Sequence, residues 1–276
     1  MRAEHPVLRL DKIGAVVFDT EGVLIDTARV RAAAWKRSLD EFLRREQRVT
    51  GHALEPFDIR TDYLRFLGDG SRLDGVREFL AARGIAAAAG GRGRSGQGDL
   101  VRELADRQSD YFRQEITRYG VAAHPATVAL VRDVRSRGAY TGAVSPSRSG
   151  GPVLAAAQVQ RLFDVRVDGS DAADLRLARK PHPGLLLEAA RRLDLAPARV
   201  AVLEYGIDGV EAARRGGFGI IVGVDRGDAV GFTERAAALR AHGAHGVVRD
   251  LTELIVTGRR RDLLTVERPG PERLTN

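Results

Sequence analysis

The chain has 276 residues, 43% of them hydrophobic and 29% charged, which suffices for one large domain or for a core domain carrying a smaller insert. Cysteine is absent, which excludes disulfides, thiolate metal sites and a cysteine nucleophile and fits a reducing compartment. The balance of 44 basic against 37 acidic residues gives +7, yet the excess is arginine in ones and twos along helical patterns, densest at Arg259-Arg260-Arg261, with no interleaved aromatics; it reads as solvated helix faces, and no nucleic-acid partner is expected.

The opening MRAEHPVLRLDK spreads its charges and has no apolar h-region, and no stretch reaches the roughly 18 apolar residues of a membrane span, so a cytoplasmic protein without a membrane partner is expected. The first element is Ile13 to Phe18, an unbroken β-branched run that reads as a strand buried on both faces and ends at Asp19. A helix follows, with Trp35, Leu39, Phe42 and Leu43 at spacings of three and four, and then a polar stretch over 48–62. Further helices are expected at 73–83 and 100–119, separated by the glycine- and arginine-rich 86–99, which reads as a mobile loop.

From residue 126 the pattern alternates: helix 126–137, strand 139–144, helix 150–160, strand 165–167, helix 183–193, strand 200–203, helix 208–215, strand 219–224, helix 233–242, strand 246–248. Such alternation means βαβ units and a mainly parallel sheet. The expected fold is therefore an α/β, Rossmann-like core over 13–28 and 121–250, interrupted by a helical cap over 29–120, with a polar tail over 251–276 that reads as a linker to a partner domain.

In such a sheet the ligand crevice lies beyond the carboxyl ends of the strands. The residues there are Asp19-Thr20-Glu21-Gly22, then Ser145-Pro146-Ser147, then Lys180-Pro181, then Glu204-Tyr205-Gly206-Ile207-Asp208. Acids two residues apart, hydroxyls, one of only three lysines and a further acid suit the binding of Mg²⁺ and a phosphoryl group. Residues two apart on an extended segment project to the same side, and Gly22 permits a tight turn out of the strand.

At these positions the chain resembles the haloacid dehalogenase superfamily, and within it the β-phosphoglucomutase type with a helical cap. The strings that carry the resemblance are VVFDTEGVLIDT (16–27), DGSRLDGVREFLAARGI (69–85), AVSPS (143–147), KPHPGLLLEAA (180–190) and VLEYGIDGVEAARRGG (202–217), in order over roughly residues 13–250. The resemblance implies an Mg²⁺-dependent phosphatase or phosphomutase acting on a small sugar phosphate through an aspartyl-phosphate. Asp19 would be the nucleophile, Glu21 the general acid/base, and Lys180 the charge that balances the transferring group. Ser145, Ser147 and Arg72 would bind phosphate. The metal would rest on Asp19, the main-chain carbonyl of Glu21 and Glu204, with Asp208 as a further oxygen; for Asp208 the competing reading is an acid at the start of a helix.

Three departures from the family pattern bear on activity. Glu21 replaces an Asp, and a carboxyl displaced by about one C–C bond length costs on the order of 10²-fold in rate. Tyr205 stands where the family has a metal-binding Asp. Gly70 and Ser71 precede Arg72 where a Lys is usual. The alternative reading is thus a catalytically degenerate domain that keeps the fold and a phosphate pocket and serves as a sugar-phosphate-binding, regulatory or interdomain module.

Overall fold

The computed structural model describes residues 6–67, 72–85, 97–227 and 232–259. Six parallel strands form the main sheet: β2 (Ala15–Asp19), β3 (Tyr140–Val144), β4 (Val165–Val167), β5 (Val200–Glu204), β6 (Ile220–Val224) and β7 (Gly246–Val248), in the order β4-β3-β2-β5-β6-β7. All five residues of β2 and of β5 are buried. Their alternate side chains feed two cores: Ala15, Val17, Val200 and Val202 on one face, and Val16, Phe18, Ala201 and Leu203 on the other. A strand covered on both faces has no solvent side for polar residues, so it is written as a continuous apolar run.

Helices α4 (Pro125–Ser136), α5 (Gly150–Ala156), α6 (Gly169–Asp174), α7 (Gly184–Arg192), α8 (Ile207–Arg215) and α9 (Phe232–Ala241) accompany the strands. The chain runs from β2 outward to β3 and β4, then returns to β5 on the other side of β2 and continues to β6 and β7. The switch point therefore falls between β2 and β5, where a crevice opens at the carboxyl ends. Register places Asp19 opposite Val144, and Phe18 opposite Leu203. Asp19, Ser145 and Glu204 thus arrive at one end of three adjacent strands.

Between β2 and α4 stands a helical insert of α1 (Ala28–Thr50), a short π-helical turn at Tyr63–Leu67, α2 (Arg72–Ala82) and α3 (Gln97–Tyr119). It has its own core of Trp35, Leu39, Phe42, Phe57, Phe79 and Leu104, in which Trp35 is fully buried, as its helical spacing implies. A second cluster joins insert to sheet, bringing Leu24, Ile25 and Phe112 against Ala143 and Val153. The stretch 86–96, read as a mobile loop, lies outside the described residues, and Gln97 already opens α3. Helix α1 runs to Thr50, three residues into the stretch read as polar loop, and ends on Gly51 in the left-handed conformation.

Two short strands depart from the sequence reading. β1 (Val7–Arg9) and β8 (Ile255–Thr257) pair in parallel, Val7 opposite Ile255. The segment read as a tail from 251 therefore begins with ordered chain, since Leu251 and Leu254 are buried with Leu8 and Leu10 in one of the two sheet cores. Helix α6 was also not expected; Asp168 and Asp171 close it with a reciprocal capping box. Among the described residues no helix is long and apolar enough to cross a membrane.

Candidate active site

Asp19 ends β2, buried, and Lys180 reaches it from the loop before α7. The Lys180 ammonium donates to Asp19 Oδ1 at 3.1 Å and to Glu204 Oε1 at 2.5 Å, so one cation joins two carboxylates from adjacent strands. Burial raises Asp19 above the usual carboxylate range, against the opposing charge of Lys180. Burial also pushes Glu204 up, with the charge of Asp19 adding to it, to about 8. Lys180 is pulled down by burial, but its two carboxylates outweigh that and hold the ammonium above its ordinary value. Glu204 Oε2 is buried without a hydrogen-bond partner and lies against Gly209 in the first turn of α8, where a Cβ would overlap it. Only glycine admits the carboxylate there.

The loop after Asp19 turns back on itself. Gly22 takes φ +83°, its amide donates to Ile25 O at 3.0 Å, and the Ile25 amide donates to Thr20 O at 3.0 Å. Thr20 faces away from the crevice, its amide and hydroxyl both donating to Val144 O. Arg226, after β6, clamps this loop by donating to Gly22 O at 3.1 Å and Val23 O at 3.2 Å. The Glu21 carboxylate is ion-paired with Arg31 of α1, and the Thr27 hydroxyl donates to it at 3.3 Å. Thr27, at the N-cap position of α1, therefore spends its hydroxyl on Glu21, while Asp26 accepts from the Ala28 amide at 3.1 Å.

Arg31 was not singled out by the sequence. Burial lowers it to about 10, which leaves it charged at neutral pH, and its charge acts on Asp19 as well as on Glu21. Its guanidinium sits 5.2 Å from the Phe112 ring centroid. Nothing in the helical pattern of α1 separates Arg31 from Arg29; only the docking of the insert on the core does.

Ser145 is buried after β3, its amide donating to Val167 O at 3.0 Å and its Oγ accepting from the Ser147 amide at 3.1 Å, which leaves its hydroxyl hydrogen to donate. Ser147 repeats the turn, its Oγ accepting from the Ser149 amide at 3.1 Å. Arg72, on α2, turns its Nη2 to Ala105 O, Gln108 Oε1 and Ser109 Oγ of α3, while its Nε is buried without a partner. Its charge nevertheless acts on Arg31 and is felt by Arg179 of the core loop, so the three guanidiniums lie near one another. Asp208 is exposed on the first turn of α8, in the place of an N-terminal helix acid.

These residues are a poor donor set for a resident Mg²⁺. Tyr205 packs on the sheet core with its ring against Gly22, and the Arg235 guanidinium stands 4.4 Å from that ring centroid while donating to Tyr205 O at 3.0 Å. Glu204 gives Oε1 to Lys180 and turns Oε2 against Gly209, Glu21 is paired with Arg31, and Asp208 faces solvent. Among the described residues no group of three or more His, Asp or Glu side chains is placed to hold a metal ion. That leaves the Asp19 carboxylate and a main-chain carbonyl, fewer anionic oxygens than the resemblance implies.

A parallel sheet whose switch point gathers a buried carboxylate–ammonium–carboxylate cluster beside a helical insert defines a capped α/β protein with its candidate site at the carboxyl ends of the strands. A family model for haloacid dehalogenase-like hydrolases matches residues 13–217. A β-phosphoglucomutase of Mycobacterium bovis is 35% identical over 245 residues, 89% of this chain and 92% of that protein. An uncharacterized glycosyl hydrolase of Mycobacterium tuberculosis is 34% identical over 243 residues, 88% of this chain but 17% of that protein. Among solved structures, a β-phosphoglucomutase of Clostridium difficile superposes with a TM-score of 0.61 at 21% identity, covering 87% of this chain and 92% of that one, a likeness of fold. The chain belongs to the haloacid dehalogenase-like hydrolases, in the β-phosphoglucomutase-like subgroup, and is an enzyme of hydrolase or isomerase type.

Proposed function

We propose that the chain is a phosphatase or phosphomutase of a small phosphosugar, working in the cytoplasm through an aspartyl-phosphate on Asp19. The observation that carries this reading is the bridge of Lys180 between Asp19 and Glu204 at the switch point. It presents a carboxylate nucleophile beside a fixed cation, with the buried Ser145 hydroxyl on the neighbouring strand end. The phosphosugar class is supported by the β-phosphoglucomutase relative and by the cations Lys180 and Arg31 beside Asp19 and Glu21, whose charge suits a phosphate ester.

In the first step a bond forms between an Asp19 oxygen and phosphorus, the ester P–O bond breaks, and its electron pair leaves on the sugar oxygen, which takes a proton from Glu21 in its acid form. In the second, an acceptor oxygen bonds to phosphorus, the Asp19 O–P bond breaks, and Glu21 takes the acceptor's proton. Water as acceptor makes a phosphatase; a second hydroxyl of the sugar phosphate makes a mutase. Lys180 and Ser145 meet the charge on the transferring oxygens. No step is assigned to Mg²⁺.

The test is turnover of a phosphosugar panel including β-glucose 1-phosphate, with Asp19→Asn as the blank. Turnover that vanishes in the blank supports the reading. A folded protein that turns over nothing above the blank overturns it in favour of a phosphosugar-binding module, the reading that Tyr205 and the partial match to a much longer glycosyl hydrolase favour.

A further inference from the structure

The carboxylates around the switch point each have a protein cation already. Lys180 serves Asp19 and Glu204, Arg31 serves Glu21, and Arg235 stands 3.5 Å from Asp225 Oδ1 at the end of β6. Of the groups that face the reacting position, Asp19, Glu21 and Glu204 are anionic, and Lys180 and Arg31 are cationic. The excess is at most a single negative charge, and none while Glu204 holds its proton, so a resident dication would leave the empty site positive. The tyrosine that replaces an acid beside Glu204 is itself covered by a guanidinium, which repels a metal ion at that flank. Arg31 is partly buried, its charge acts on Asp19, and it is anchored from the insert by Glu21 and the Phe112 face.

We infer that this chain has exchanged the family's divalent cation for an arginine: Arg31 together with Lys180 meets the phosphoryl charge, and phosphate binds without a resident metal. The inference rests on the phosphoryl-transfer reading of the same site. A guanidinium gives the transferring oxygens a planar pair of charged donors where a metal gives coordination, and it carries the added benefit of tying the acid/base residue to the insert. Arg31 is thereby a second fixed cation of the site as well as the positioning residue of Glu21.

The test is calorimetric titration of the full chain with inorganic phosphate, once in EDTA and once with saturating Mg²⁺. Affinities within about twofold of each other are expected. Phosphate that binds tenfold or more tightly with Mg²⁺, or that does not bind in EDTA, overturns the inference. Arg31→Met, checked for folding by circular dichroism, is expected to weaken phosphate about tenfold or more, since a lost charged hydrogen bond is worth that much, and Arg31→Lys to recover part of it. Unchanged affinity in Arg31→Met overturns the inference, and the EDTA comparison on the natural chain stands even if that variant does not fold. Loss of the phosphoryl-transfer reading is seen separately, as absence of Asp19-dependent turnover, whereas loss of this inference is seen as metal-dependent phosphate binding.

Discussion

Replacing Lys180 by Met removes the cation that lets two buried carboxylates share one end of the sheet. Its ammonium lies 3.1 Å from Asp19 Oδ1 and 2.5 Å from Glu204 Oε1. The two oxygens therefore stand within about 6 Å of each other, and at an effective dielectric of about 20 two unit charges at that separation repel by about 3 kcal/mol. Removing one partner of a buried ion pair costs about 3–5 kcal/mol in measured cases, the same scale. Protonating Glu204 relieves the repulsion. Its folded value of about 8 stands above its ordinary 4.5 because of burial and Asp19, and loss of Lys180 moves it further up. An acid whose folded value is raised binds more protons folded than unfolded between the two values, so stability falls as pH climbs through that window and returns as pH falls. Urea unfolding of Lys180→Met against the natural chain is thus expected to show a loss of about 3–5 kcal/mol at alkaline pH, above the folded value of Glu204. Near pH 5 the loss is expected to be much smaller. Equal losses at the two pH values, or an alkaline loss below about 1 kcal/mol, refute the reasoning.

Gly209→Ala places a methyl on Glu204 Oε2 inside the helix that packs against it. Overpacking of this kind costs about 1–3 kcal/mol, and the displaced carboxylate pulls Lys180 off Asp19, so thermal stability and turnover are expected to fall together; a neutral result in both shows that the carboxylate has room to move. Gly22→Ala combines φ +83° with a Cβ that overlaps the Tyr205 ring, and a loss of about 1–3 kcal/mol is expected from chemical denaturation. Arg226→Met frees the Gly22 and Val23 carbonyls and the Asp250 carboxylate, which its guanidinium meets at 3.1 Å. Faster hydrogen exchange at Glu21 to Ile25, with the strands unaffected, is the expected signature; unchanged exchange there shows that the clamp is dispensable.

The main sheet was legible chiefly because its central strands β2 and β5 are buried on both faces; Val165–Val167, an edge strand with Arg166 exposed, and Gly246–Val248 fall where they were expected, and the other four differ by one or two residues at one or both ends. β1 and β8 were not, because a three-residue strand such as β1, with only Leu8 buried, ending in Arg9 and followed by Asp11, carries no pattern that distinguishes it from a charged terminus. Helix α6 did leave a signal, the Asp168 and Asp171 pair three apart, of the kind that marks a helix start. Asp208 shows the reverse, since its spacing from Glu204 suits a shared metal and its first-turn position suits the helix dipole; the backbone turns it to solvent.

The site residues on strand ends were legible for the same reason as the strands, since an acid that terminates an unbroken apolar run has one place to point. Arginines were not, because in a chain whose positive charge is nearly all arginine, a guanidinium that enters a site looks like those that coat a helix. The exchange of Asp for Tyr205 was visible, but its compensation was not, since Arg31 lies on α1 and Arg235 on α9, far from Tyr205 in sequence, and each meets the site only when the insert and the last helix have docked. The tyrosine at one strand end and the guanidiniums that dock from two distant helices weigh on the same electrostatic balance. A site that had lost its acid while keeping a metal would hold an unbalanced dication, whereas a site that had lost both would leave Asp19 and Glu21 short of a cation, which is the deficit that Arg31 fills.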